Sequence, residues 1–264
     1  MSNLTLGVDL GQTQDFTAVC LAERVQMMQP VFDDVVVRYK PIDVFHVGLL
    51  YRWPLNTAYF QIVRDVHEIL YDSGHPEAHL ALDATGVGAD IAKLFHEAWV
   101  AKKLGTRRPS NYKITGGSGA DLYRNPYMMV GKIELVGIMQ RYQQAGLLRI
   151  SPHLELAPVI KAEMKNFQAT ILPSGHETMA ARTGTHDDLL QALSLAMHHS
   201  LVYHRGDPCR QIPFQDFEPA PLGHGTAPKV FGLDPDMGPA EELPVAPDEP
   251  GAVFGPYGER LDPN

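Results

Sequence analysis

The hydrophobic pattern changes period repeatedly along the chain. Leu4-Thr5-Leu6-Gly7-Val8-Asp9 is a nearly continuous apolar run of strand length. Phe16 to Ala22 is a second, with the turn Gly11-Gln12-Thr13-Gln14 between them. The run Val35-Val36-Val37 and the segment Val44 to Leu50 supply further strand material. Residues 57–72 then place Ile62, Val63, Val66, Ile69 and Leu70 on one helical face. His79-Leu80-Ala81-Leu82-Asp83 reads as a strand, Val87 to Lys103 as a helix and Tyr112-Lys113-Ile114 as a short strand. Residues 127–145, 154–167 and 188–203 read as three more helices. Strands that come first as a meander and then alternate with helices predict an α/β or α+β sheet with helices on its faces.

The pattern stops near residue 207. Beyond it Pro and Gly recur every few residues, and more than half of the 21 prolines lie in this last stretch. Such a segment sustains neither helix nor ladder hydrogen bonds and has no apolar period with which to bury a face. The expected organisation is an ordered domain over 1–207 and a mostly irregular acidic tail over 208–264. Short docking pieces are expected around Ile212-Phe217 and Val230-Leu233.

Composition adds bounds. A 44% hydrophobic and 20% charged chain of 264 residues has the apolar material for a substantial core. No apolar stretch approaches a membrane span, and Met1-Ser2-Asn3-Leu4 shows no secretory pattern. With Cys20 and Cys209 alone, neither a disulfide scaffold nor a zinc spacing is present, and a reducing cytoplasm is the expected compartment. The net charge of -9 argues against nucleic acid only on the surface, because the tail concentrates the acid: Asp234, Asp236, Glu241, Glu242, Asp248 and Glu249 against Lys229 and Arg260. The rest is close to balanced and carries Lys102, Lys103, Arg107 and Arg108 as groups for phosphates.

Three places carry chemistry. Asp9 ends a buried strand just before Gly11, at the sheet edge where open α/β folds put their ligands. Asp83 repeats this arrangement ahead of Ala84-Thr85-Gly86-Val87-Gly88. Asp187 and Asp188, preceded by His186, open the last helix, where one acid suffices as a cap. If the three converge, four carboxylates meet with no lysine or arginine nearby in sequence, and hard divalent ions, Mg2+ or Mn2+, are the expected compensation. Asp15 is a further candidate metal carboxylate, His186 a candidate to orient or deprotonate water, and Lys132 a candidate to reach a phosphate. His198 and His199 read as surface residues.

These pieces resemble the nuclease domain of phage terminase large subunits. The matching segments are Gly7-Val8-Asp9-Leu10-Gly11 with Asp15-Phe16-Thr17-Ala18, Leu82-Asp83-Ala84-Thr85-Gly86-Val87-Gly88, and Val130-Gly131-Lys132. Gly146 to Ile150, Glu163 to Phe167 and Gly184 to Leu193 complete the series, over roughly residues 4–203. The resemblance implies an RNase H-like mixed sheet flanked by helices. It implies an endonuclease that cuts concatemeric viral DNA with two Mg2+ or Mn2+ ions, in the host cytoplasm. Asp9, Asp83 and one or both of Asp187 and Asp188 take the ligand roles, Asp15 matches a further acid, and Lys132 a recurrent lysine. Double-stranded DNA is the implied substrate, and a packaging ATPase, the portal or the small terminase subunit the implied partners. The sequence holds no Gly-x-x-x-x-Gly-Lys-Ser/Thr loop, so the ATPase is expected on another chain or on a removed domain. Two rivals share part of the pattern. A Holliday-junction resolvase has the same fold and acids. An actin or sugar-kinase-like ATP-binding protein matches Asp9-Leu10-Gly11-Gln12-Thr13 and Gly116-Gly117-Ser118-Gly119.

Overall fold

The computed structural model describes residues 3–11, 15–33, 36–72, 74–86, 88–105, 107–116, 122–124, 127–171, 177–181, 186–202, 209–213, 253–254 and 260–261. Its first three strands form the expected meander. β1 (Asn3–Asp9) pairs antiparallel with β2 (Ala18–Asp33), which pairs antiparallel with β3 (Val36–Arg52). After α1 (Tyr59–Asp72) the chain returns as β4 (His79–Asp83), parallel to β1. After α2 (Gly88–Val100), β5 (Ser110–Thr115) adds parallel to β4. The order β3-β2-β1-β4-β5, an antiparallel meander running into parallel strands, is the RNase H-like arrangement.

The sheet extends on both flanks. β6 (Leu122–Arg124) and β7 (Tyr127–Gly131) continue it beyond β5. β7 leads straight into α3 (Lys132–Gln144), and β8 (Leu148–Ile150) pairs parallel with β3. The sequence reading took residues 127–145 as one helix. The first five of them are instead a strand in register with β5, Thr115 against Gly131. A short apolar run such as Tyr127-Met128-Met129-Val130 fits a buried strand as well as a helix, and only the distant partner decides. α4 (Ala157–Asn166) is followed by the hairpin of β9 (Phe167–Ile171) and β10 (Glu177–Ala181), and then by α5 (Asp188–Val202). β11 (Arg210–Pro213) pairs parallel with residues 25–28 of β2, where the β1 ladder has ended. β12 (Val253–Phe254) and β13 (Arg260–Leu261) pair with each other. Most of the expected tail, including Val230-Leu233 and Phe217, lies outside the described residues, as do Gln12 to Gln14 and Gly117 to Gly119.

Alternation along β1 divides the core. Leu4, Leu6 and Val8 pack with Ile62, Val66, Ile69, Ile91 and Phe95 of α1 and α2. Within that layer the Trp53 indole N–H donates to Asp65, 2.9 Å away, so the buried carboxylate is not left bare. The opposite face receives α5, α3 and α4, with Ala18, Cys20, Phe45 and Val47 meeting Val136, Ile160, Leu189 and Leu193. α5 is buried from Asp188 to Ser200. Its close seating depends on Gly7: a Cβ there would lie 2.0 Å from the Ala192 carbonyl oxygen. Each fully buried leucine of α5 contributes roughly 1.5–3 kcal/mol.

Because α5 is wrapped on all sides, His198 and His199 are core residues, 0% and 1% exposed, which corrects the surface reading. The Tyr112 hydroxyl lies 2.7 Å from His199 Nδ1. At the far end of α5 the buried Arg24 guanidinium donates to the Ser200 carbonyl at 2.7 Å and to Cys209 Sγ at 3.1 Å. Arg210 of β11 pairs with Glu23 at 3.0 Å. Among the described residues no helix is long and apolar enough to cross a membrane.

Candidate active site

Asp9 and Asp83 are the last residues of two hydrogen-bonded parallel strands, one step beyond the Val8–Leu82 pair. Register alone therefore brings their carboxyls to the same edge of the sheet. The turn after Asp83 holds its acid in place: Thr85 N–H donates to Asp83 Oδ1 at 2.8 Å, and Gly86 takes φ +58°. Gly88 lets α2 begin against this turn, since a Cβ there would lie 2.5 Å from the Asp83 carbonyl oxygen. After Asp9 the chain turns at Gly11, whose N–H donates to Thr17 Oγ1 at 3.1 Å and whose carbonyl accepts from the Tyr59 hydroxyl at 3.1 Å.

The helix-start acids arrive from the other side. α5 approaches the same edge, and Asp187 and Asp188 enter one cleft of 420 Å3 with Asp9, Asp15, Asp83, Lys132, His186 and Gln191. A smaller hollow of 260 Å3 adjoins it through Gly11 and Asp15 and runs to Pro54–Tyr59. All seven residues singled out by sequence thus line one cleft. Asp15 and His186 are exposed at its mouth, and the His186 ring stands edge-on to Phe16 at 5.0 Å. Lys102, Lys103, Arg107 and Arg108 flank the connection into the start of β5, so they belong to the end of the parallel strands opposite these acids.

The four acids are not equivalent. Burial, and then the charges of Asp83, Asp188 and Asp187, hold the Asp9 carboxyl well above the usual carboxylate range, with Lys132 pulling the other way. Burial also raises Asp83, opposed by its hydrogen bonds to Thr85, by Lys132 and by a hydrogen bond with the Asp9 carboxyl. Asp187, by contrast, is ion-paired: Lys132 Nζ lies 2.7 Å from its Oδ2. Asp188, 4% exposed, has Arg52 Nε at 2.5 Å from its Oδ2. Burial still raises Asp188, against the pull of Arg52.

Arg52 and Glu163 are the residues that sequence reasoning missed as site parts. The Arg52 guanidinium bridges Asp188 and Glu163 and lies over the Phe16 ring, 5.0 Å from its centroid. Glu163, from α4, uses its other oxygen to accept the N–H of Leu190 at 2.9 Å. A carboxylate from a neighbouring helix thereby satisfies one of the open donors in the first turn of α5. Burial pushes the Glu163 carboxyl up to about 7, opposed by that N–H and by Arg52. The expectation that no cation compensates the acids held only along the sequence; in space Lys132 and Arg52 do so. No local signal marks Arg52, which simply ends a strand.

For a divalent ion the donor set fits in chemistry. Every candidate ligand offers oxygen, and Asp188 Oδ1 is buried without a hydrogen bond while Arg52 takes up its Oδ2. The Gln191 side-chain carbonyl, in the same cleft wall, is also buried and unbonded. Among the described residues no three such side chains already close on one point as a finished cage.

No family profile and no curated protein matches the sequence. Solved structures do. The large terminase nuclease from thermophilic phage G20c with bound magnesium is 18% identical over 74% of this chain and 80% of that one, with a TM-score of 0.48. The nuclease domain of the large terminase g2p from bacteriophage SPP1 with bound manganese is 12% identical over 75% and 86%, with a TM-score of 0.44. The manganese-soaked human cytomegalovirus terminase nuclease domain is 16% identical over 77% and 86%, with a TM-score of 0.45. These three solved structures, to which the chain is similar, are terminase nuclease domains from two bacteriophages and human cytomegalovirus.

Proposed function

We propose that the chain is a divalent-metal-dependent DNA endonuclease of the terminase large-subunit type, cutting concatemeric viral DNA during genome packaging. One observation carries the reading: Asp9, Asp83, Asp187 and Asp188, from two strand ends and a helix start, meet in one cleft with Lys132 and His186. Buried carboxyls that repel one another are unfavourable for a fold alone, and they suit a site that takes up hard cations.

Asp9 and Asp83 would hold the cations at the sheet edge, with the helix-start pair opposite. When bound, two divalent ions lower the pKa of the attacking water and draw charge from the phosphate. Thr85 fixes the Asp83 carboxylate so that it presents a constant direction to the ions. His186, exposed at the mouth, is placed to accept a proton from incoming water. Lys132 is placed to meet a phosphate oxygen once substrate fills the cleft. Asp15, at the junction with the smaller hollow, is a further carboxylate that would serve a metal ion. Double-stranded DNA is the proposed substrate, with a packaging ATPase, portal or small terminase subunit as partner.

Plasmid nicking and linearisation with Mg2+ or Mn2+ tests this, comparing wild type, Asp83→Asn and an EDTA control. Metal-dependent cutting lost in the variant is the expected result. Folded protein that cuts nothing with either ion overturns the reading, and preference for four-way junctions over linear duplex would move it to a resolvase.

A further inference from the structure

The two cations that pair with the helix-start acids hold them in different ways. Arg52 is shut in: its side chain is 16% exposed, against 5% for Glu163 and 6% for Asp188, and it spans two carboxylates from different helices. Lys132 and Asp187 are open, with side chains 26% and 27% exposed on the wall of the cleft. The backbone beneath Lys132 is fixed, since β7 passes into α3 at Gly131 without a loop and Gly131 is in register with Thr115 of β5. Its ammonium lies 2.7 Å from Asp187 and 5.5 Å from the Phe167 ring centroid, and its charge is felt by both Asp9 and Asp83. A single positive charge on a long, partly exposed side chain thus sits among three of the four acids that the proposed nuclease uses.

We propose that Lys132 is a resident counter-cation, which holds Asp187 while the cleft contains no divalent ion and yields it when one enters. The inference rests on the metal-dependent reading above and adds to it a direction of competition. A divalent ion near Asp187 meets like charge from the ammonium at a few ångströms, so lysine and metal oppose each other. Lys132 keeps the acids from driving α5 away from the sheet before metal arrives. Its release then frees a long, flexible ammonium for the phosphate. Arg52 stays on Asp188 throughout, because leaving would strand two buried carboxylates.

The test is a Mn2+ titration by calorimetry of the full metal-free chain, as wild type, Lys132→Met, Lys132→Arg and Asp83→Asn. Lys132→Met should bind Mn2+ about fivefold tighter or more, while Lys132→Arg stays near wild type. In EDTA its melting temperature should fall below that of wild type, and saturating Mn2+ should remove the difference. A folded Lys132→Met chain that binds Mn2+ equally or more weakly overturns the proposal. In wild type, amine acylation of Lys132, followed by mass spectrometry, should accelerate with Mn2+, and an unchanged rate overturns it even if the variant fails to fold. Wild type that binds no Mn2+ instead overturns the metal-dependent reading, whereas wild type that binds and cuts beside an unaltered Lys132→Met refutes the counter-cation alone.

Discussion

The strand-end acids and the helix-start acids share one cleft but are supported by opposite means. Asp9 and Asp83 are set by sheet register, lie beside each other, and have no ion pair among the described residues. Their carboxyls are pushed toward the protonated form by burial and, for Asp9, by neighbouring acids. Asp187 and Asp188 are set by the seating of α5, and each faces a cation brought from elsewhere in the chain. One pair therefore stores repulsion and the other has already spent it. On the proposed reading, a divalent ion would gain most at the strand ends, where no cation is paired among the described residues.

Breaking the clamp on the helix-start side should have the largest effect. Arg52→Met leaves Asp188 and Glu163 buried with no cation between them, and the chain should lose about 3–5 kcal/mol in urea unfolding in EDTA. A loss under 1 kcal/mol, within the ordinary range of surface changes, would remove the distinction between the pairs. Next comes a buried group that the fold keeps uncharged. His46, 1% exposed on β3, is held down to about 4 from 6.5 by burial and then by Arg210 and Arg149. A histidine whose folded value is lowered stabilises the fold above 6.5, and that contribution disappears as pH falls through 4. The window amounts to about 3 kcal/mol, and His46→Gln should flatten that part of the stability–pH curve. If the slope survives the substitution, the acid sensitivity lies elsewhere.

A finer test compares signs. Asp9→Asn, by removing a repelled buried carboxyl, should stabilise the metal-free chain by about 1 kcal/mol, whereas Asp188→Asn should destabilise it by a similar amount. Equal signs in thermal melts would show that the pairs do not differ in kind. Smallest of all, Asp15→Asn should change stability by less than about 0.5 kcal/mol, as befits an exposed position.

The strand-end acids were legible because their signal is local: an apolar run, an aspartate, then a glycine turn. The start of α5 was legible for the same reason. Arg52 was not, because it has an ordinary local context, and Glu163, though inside a matching segment, carried no assigned role; both acquire theirs only when β3, α4 and α5 meet. β7 was hidden because Met and Val serve a helix or a buried strand alike, and its parallel partner β5 lies on the far side of β6 in the chain. His198 and His199 were misplaced because two histidines near a helix end look solvated; Tyr112 and the layer around α5 make them internal. The lengths of β2 and β3 escaped because their paired ladder, Asp33 against Val36 through Ala18 against Arg52, runs through polar residues that backbone pairing holds in strand form.

Gly7 allows the last helix of the core to lie against the first strand of the chain. That seating makes timing a property of the molecule. While a ribosome is still making residues before 188, Asp9 and Asp83 have no helix-start partners, and the face that takes α5 is exposed. Joining them means closing a loop that spans most of the core, a slow step for any chain whose contacts are so distant in sequence. Unfinished chains therefore lack the complete acid cluster, so a cleft that needs all four carboxylates cannot be assembled before α5 has been made.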